Sequence, residues 1–154
     1  MEVIALRGAP NQGKSETINI VYQYILLFGY KQVPGHFEVL NKDLKDFIDV
    51  VEKDGVKIGI VSMGDYEKTD NEYSISRLLE ILFNAGCQRA ICGCTINPRQ
   101  PTEEAVKKYS HIFINKTQAS DDGNQRIVNG KDAETLYKLA TLDLNLDVLF
   151  KKPH

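Results

Sequence analysis

Hydrophobic positions along the chain follow two spacings in turn. Val3-Ile4-Ala5-Leu6, inside Glu2–Arg7, is an apolar run of strand length and predicts a buried strand. Ile18, Val21, Tyr22, Ile25 and Leu26 then recur at i, i+3, i+4, i+7 and i+8, one face of a helix that Gly29 is placed to end. A second stripe, Ile75, Leu78, Leu79, Leu82 and Phe83, follows a capping box at Thr69 and Glu72 and stops at Gly86. Arg89–Thr95 reads as a short strand, its Ala90-Ile91-Cys92-Gly93-Cys94 small and apolar enough to lie between helix layers. Thr102 with Glu103 and Glu104 opens a short helix, and His111–Asn115 is a further strand. Thr117–Gln125 reads as a polar surface loop, and a last helix is expected from about Lys131, with Leu136, Tyr137 and Ala140 facing inward. From Leu142 the pattern alternates through Leu144, Leu146 and Val148 and does not say whether the helix continues.

The segment around Asp54-Gly55 admits two readings. Leu44, Phe47, Ile48 and Val51 could mark a short amphipathic helix ended by Gly55. Alternatively Lys53-Asp54-Gly55 is a three-residue hairpin loop, which sets Ile48 opposite Ile60 and Val50 opposite Ile58 and is the preferred reading. Strands alternating with helices predict an α/β protein: a three-layer α/β/α fold with a mostly parallel central sheet and one antiparallel hairpin over residues 47–62.

A length of 154 residues suits a single domain spanning 1–154, and 42% hydrophobic with 26% charged residues is a globular composition. Nineteen basic against twenty-one acidic residues give a net charge of −2, which excludes a strongly basic nucleic-acid binder. Met1-Glu2-Val3-Ile4-Ala5 shows no charged segment leading into an apolar one, so no secretory signal is expected. Ile25-Leu26-Leu27-Phe28 is far shorter than the roughly 20 residues of a membrane helix, so no membrane partner is expected. Cys87, Cys92 and Cys94 lack C-x-x-C spacing and read as buried, reduced apolar residues, consistent with a cytoplasmic home. His36, His111 and His154 are scattered and form no ligand set.

The strongest chemical signal is Gly8-Ala9-Pro10-Asn11-Gln12-Gly13-Lys14-Ser15, which fits G-x-x-x-x-G-K-[ST] at every specified position. At average residue usage such a match arises by chance in about half a percent of chains of this length. Its setting between a predicted strand and a predicted helix sharpens it. Gly8 permits a sharp turn, and Gly13 permits close approach of backbone to a phosphate. Successive N–H groups at a helix N-terminus form an anion site, within reach of Lys14. Glu16, in the same first turn, is counted with the binding residues.

These eight residues resemble the phosphate-binding loop of the P-loop NTPase superfamily. The resemblance implies a Mg-nucleoside triphosphate on a layered α/β domain, with Lys14 on the β- and γ-phosphates and the Ser15 hydroxyl on Mg²⁺. An antiparallel hairpin would look like the Ras-like GTPases, a helix before Gly55 like the small nucleotide kinases. The family usually places a magnesium-holding carboxylate at the end of the strand beside the first. Here Lys57-Ile58-Gly59-Ile60-Val61, taken as that strand, ends in Ser62, and the nearest carboxylate is Asp65, in a stretch from Gly59 that looks like a switch loop. Asp65 is thus a candidate for catalysis and for the metal shell. Arg99, in Asn97-Pro98-Arg99-Gln100-Pro101, follows a strand expected to share an edge with the loop and is a candidate for the γ-phosphate or a second substrate. Asn115-Lys116 resembles N-K-x-D in position, but Gln118 replaces the aspartate that reads guanine, which points to ATP over GTP. The expected function is Mg-ATP-dependent phosphotransfer to a small-molecule acceptor or NTP hydrolysis. The alternative is a nucleotide-dependent switch that presents its loops to a protein partner.

Overall fold

The computed structural model describes residues 1–40, 46–64, 74–96 and 102–150. In chain order its elements are β1 (Glu2–Gly8), α1 (Lys14–Leu27), β2 (Lys31–Gln32), β3 (Glu38–Val39), β4 (Phe47–Lys53), β5 (Val56–Val61), α2 (Ile75–Asn84), β6 (Arg89–Thr95), α3 (Thr102–Val106), β7 (Ser110–Asn115) and α4 (Asp122–Phe150). The strands form one sheet ordered β2-β4-β5-β6-β1-β7, with β3 also on β4.

The protein is α/β, and its sheet is mixed where a mostly parallel one was expected. Strands β5, β6, β1 and β7 run parallel, whereas β4 is antiparallel to β5, β2 and β3. The cause is local. Asp54 and Gly55 both have positive φ, 53° and 79°, as a two-residue hairpin turn requires, and this turn sends the chain straight back. The hairpin reading of this segment is therefore the right one, but its register shifts by one residue. Ile48 faces Val61 and Val51 faces Ile58, because the loop holds two residues and Lys53 pairs with Val56.

Side-chain alternation on the central strands feeds two cores. Ile4, Leu6 and Ile91 pack with Ile18, Val21 and Ile25 of α1 and Ala133, Leu136 and Ala140 of α4. Val3, Ala5, Cys92 and Cys94 pack on the opposite face with Ile75, Leu78, Leu79 and Leu82 of α2 and with Ala105 and Val106 of α3. Burying both faces explains why these strands read as continuous apolar runs. Phe83 departs from the expected stripe and is exposed.

The helix ends are set by local caps. Ser74 caps α2, its hydroxyl accepting from the Arg77 N–H at 3.3 Å; the capping box at Thr69 and Glu72 lies outside the described residues. The polar stretch 117–125 is not all loop, because Asp121 accepts from the Asn124 N–H at 2.9 Å and starts α4 nine residues before Lys131. The alternating tail after Leu142 continues that helix to Phe150. No described helix is long and apolar enough to cross a membrane.

One fully buried carboxylate ties the antiparallel edge to α1. Asp49 accepts from the Tyr22 hydroxyl at 2.6 Å and from Gln32 Nε2 at 3.0 Å. Burial, then the hydrogen bond to Asp49 and its charge, push the Tyr22 phenol well above its ordinary pKa.

Beyond β5 the chain keeps to the sheet. Met63 O accepts from Gly93 N at 3.2 Å and Gly64 O from Thr95 N at 3.0 Å, so the segment from Gly59 to Gly64 is strand and strand extension where a switch loop was expected. A Cβ on Gly64 would run into the Gly93 carbonyl, whereas one on Gly130, inside α4, would meet nothing within 4 Å. Gly64→Ala is therefore expected to lower unfolding free energy by about 1–3 kcal/mol. Gly130→Ala is expected to raise it by about 0.5–1 kcal/mol. Urea denaturation of both variants checks the contrast, and equal effects would contradict the packing described.

Candidate functional site

The central strands end at one edge, and the glycine-rich loop starts there. Gly8 pairs with Thr95 and Arg7 with Asn115, so the ends of β6 and β7 flank the point where β1 stops. Ile96 N donates to Gly8 O at 2.9 Å and Lys116 N to Arg7 O at 2.7 Å, which fixes the take-off of the loop. The carboxyl edge of a parallel sheet is where ligands bind in open α/β folds.

The loop backbone then alternates in handedness. Asn11 has φ 61° and Gly13 φ 83°, with Gln12 between them on the ordinary side. Such alternation gathers consecutive N–H groups into a concave nest. Gly13 is also the N-cap of α1, and a glycine offers no side-chain acceptor to the first-turn N–H groups. The turn is closed from below by Thr17, whose N–H and hydroxyl both donate to Gly13 O, at 3.0 and 2.7 Å. Lys14 is 93% buried and bends back across the loop, its Nζ donating to Ala9 O at 2.6 Å. Ser15 and Glu16 complete the first turn.

Gln12 occupies the inside of this loop. Its Oε1 accepts from the Ala9 N–H at 2.8 Å and lies where a Cβ on Gly8 would stand. Two amides of α4 brace the loop from outside. Gln125 Nε2 donates to Gln12 O at 3.2 Å and to Asn129 Oδ1 at 2.8 Å, while Asn129 Nδ2 donates to Glu16 Oε2 at 3.2 Å. A Cβ on Gly13 would collide with both amides, so glycine is required there for space as well as for φ.

Asn115 and Lys116 sit beside the loop and are both engaged. Asn115 Oδ1 accepts from Arg7 Nε at 3.1 Å, and the Arg7 guanidinium also lies 4.7 Å from the Phe113 ring centroid. The Lys116 ammonium is buried, 3.0 Å from Asp132 Oδ2, and donates to Thr117 O at 2.9 Å. Asp132 also accepts from the N–H and hydroxyl of Thr117, at 2.8 and 2.7 Å.

Two sequence candidates, Asp65 and Arg99, lie outside the described residues. The strands leading to them correct one expectation. β5 is not the neighbour of β1, because β6 lies between them, and β6 is the strand whose end meets Gly8. Ser62, at the end of β5, is therefore not the position of the expected carboxylate; it is buried and joins the two hairpin strands, its hydroxyl accepting from Phe47 N at 2.8 Å. Among the described residues no cluster of three or more His, Cys, Asp or Glu could hold a metal.

The cysteines are free and buried, as their spacing suggested. Burial pushes the Cys87 thiol up to about 11 and the Cys92 thiol higher still, which leaves neither as a nucleophile at neutral pH.

Gln125, Asn129 and Asp132 are the site residues that sequence reasoning missed. Their spacing of four and three puts them on one helical face, a polar stripe that begins in the stretch read as loop, at Gln125, and runs into the helix expected from about Lys131. No protein-family model, curated protein or solved structure matches the chain.

The Lys116–Asp132 pair generates a stability prediction. Asp132→Ala strands a buried ammonium and is expected to cost about 3–5 kcal/mol in urea unfolding. The double variant Lys116→Met/Asp132→Leu should lose much less. Equal losses in the two variants would show that the pair is not buried as described.

Proposed function

We propose that the chain is a P-loop nucleoside triphosphate-binding protein that acts on Mg-ATP as a phosphotransferase or NTPase. The observation that carries this reading is the Lys14 ammonium folded over a loop of alternating handedness at the N-terminus of α1, at the carboxyl edge of four parallel strands. Aligned amides, a helix dipole and one lysine converge there, a combination suited to a polyphosphate. The layered α/β architecture supports the same reading.

Binding would begin with an exchange at Ala9. The amide oxygen of Gln12 is a neutral acceptor, and a phosphate oxygen is a charged one that forms the stronger bond. Lys14 would stay over the loop and turn its ammonium to the β- and γ-phosphates. The Ser15 hydroxyl would meet the metal, with Asp65 and Arg99 as candidates for the metal shell and the γ-phosphate. A small-molecule acceptor, or water, completes phosphotransfer or hydrolysis. Reduced, buried cysteines agree with a cytoplasmic setting.

Thr95 favours a second reading, a nucleotide-dependent switch with slow turnover that presents its loops to a protein partner. It ends β6, the strand beside β1, where a magnesium-holding carboxylate would be expected.

Lys14→Ala is expected to lower turnover by about a hundred- to a thousandfold, corresponding to ~2.7–4 kcal/mol for one transition-state charge partner. It should also weaken a fluorescent ATP analogue, and more than Asp65→Ala does. Titration and phosphate-release assays on the folded variant check this. Unchanged affinity and turnover would show that the loop holds no nucleotide.

A further inference from the structure

Beside the phosphate loop, α1 and α4 diverge into a cleft of about 580 Å³ lined by Glu16, Ile20 and Gln23 on one side and by Arg126 and Asn129 on the other. That volume lies in the range of sites for small organic ligands. The floor is built rather than incidental. Asn129 is 2% exposed and is held from two directions, by Gln125 Nε2 on its Oδ1 and by Glu16 Oε2 on its Nδ2. The walls are different. Among the described residues, Gln23 and Arg126 make no hydrogen bond or ion pair and have their polar atoms available.

Resting on the phosphate-loop reading above, we infer that this cleft receives the nucleoside end of the nucleotide, with adenine as its base. The cleft shares Ser15 and Glu16 with the first turn of α1, so it opens where a triphosphate cradled by the loop would continue into its ribose. From Glu16 to Gln23 is seven residues, about 10 Å along the helix axis, enough for a ribose and a purine. The Glu16 oxygen not committed to Asn129 accepts a ribose hydroxyl. Ile20 packs against one face of the base, and the planar Arg126 guanidinium stacks on the other. The Gln23 amide, donor and acceptor side by side, matches the N6 and N7 edge of adenine. Guanine presents acceptors at both corresponding positions and leaves the Gln23 carbonyl opposed to one of them. At the end of β7 the Lys116 ammonium is committed to Asp132 and the Asn115 oxygen to Arg7, which leaves the base no paired donor and acceptor there.

The test is calorimetric titration of Mg-ATP, Mg-GTP and Mg-tripolyphosphate into the wild type, Gln23→Ala, Arg126→Lys and Lys14→Ala. All but Lys14→Ala change an exposed side chain and leave the loop intact. Wild type is expected to favour ATP over GTP by about tenfold, and Gln23→Ala to erase that preference and weaken ATP by a similar factor. Arg126→Lys keeps the charge and loses the stacking plane, and should weaken ATP severalfold. Neither variant should alter tripolyphosphate binding. Equal wild-type affinities for ATP and tripolyphosphate, or for ATP and GTP, would overturn the assignment. So would full ATP affinity in both cleft variants alongside its loss in Lys14→Ala, which would leave the phosphate loop standing without this cleft. A wild type that binds neither ATP nor tripolyphosphate would remove both.

Discussion

The position of β1 between two parallel neighbours is the constraint on which the rest of the site depends. A parallel strand must leave the sheet at its carboxyl end and return over a face, so the link from β1 to α1 is forced to lie at the edge where β6 and β7 also stop. Hydrogen bonds to the carbonyls of Arg7 and Gly8 hold the last residues of β1 in register. The loop therefore starts from a rigid point. It ends at another, because Ile18, Val21 and Ile25 anchor α1 in the core. Five residues between two fixed ends can satisfy both only with left-handed backbone, and Asn11 and Gly13 supply it.

Charge is distributed around that loop in a consistent way. The cations nearest to it, Lys14 and Lys116, are buried and oriented by specific oxygens, Ala9 O for the first and Asp132 for the second. Glu16 is turned toward α4 by Asn129 instead of toward the loop opening. The concave side of the loop is thus lined by N–H groups and an ammonium, with a glutamine oxygen as its internal acceptor. Oriented donors of this kind are the general basis on which helix N-termini hold anions, and on this the proposed function rests.

Much of this was legible in the sequence, for reasons that can be stated residue by residue. The strand–loop–helix unit from Glu2 to Leu27 follows from a buried apolar run, two glycines and a 3.6-residue stripe, all local signals. The same holds for β6 and α2. The hairpin register was one residue off because Lys53 was counted in the loop, although Asp54-Gly55 is itself the signature of a two-residue turn with both φ positive. Strand order was beyond reach, since whether β5 or β6 lies beside β1 is settled by how two helical layers pack and not by any local pattern. The early start of α4 escaped for a different reason. Its first three turns are polar because their inner face carries Gln125, Asn129 and Asp132, which bond to the loop and to Lys116 instead of packing in the core. Polar residues in a helix that serves a site look like a loop to any hydrophobicity argument.

The most direct measurement is of the backbone amides themselves. A ¹⁵N-resolved titration with Mg-ATP should move the resonances of Ala9, Gly13 and Lys14 first and furthest, with the Gln12 side-chain amide shifting as its oxygen leaves the Ala9 N–H. Saturating Mg-ATP that leaves Ala9 and Gly13 where they were, while resonances elsewhere respond or none do, would contradict the account.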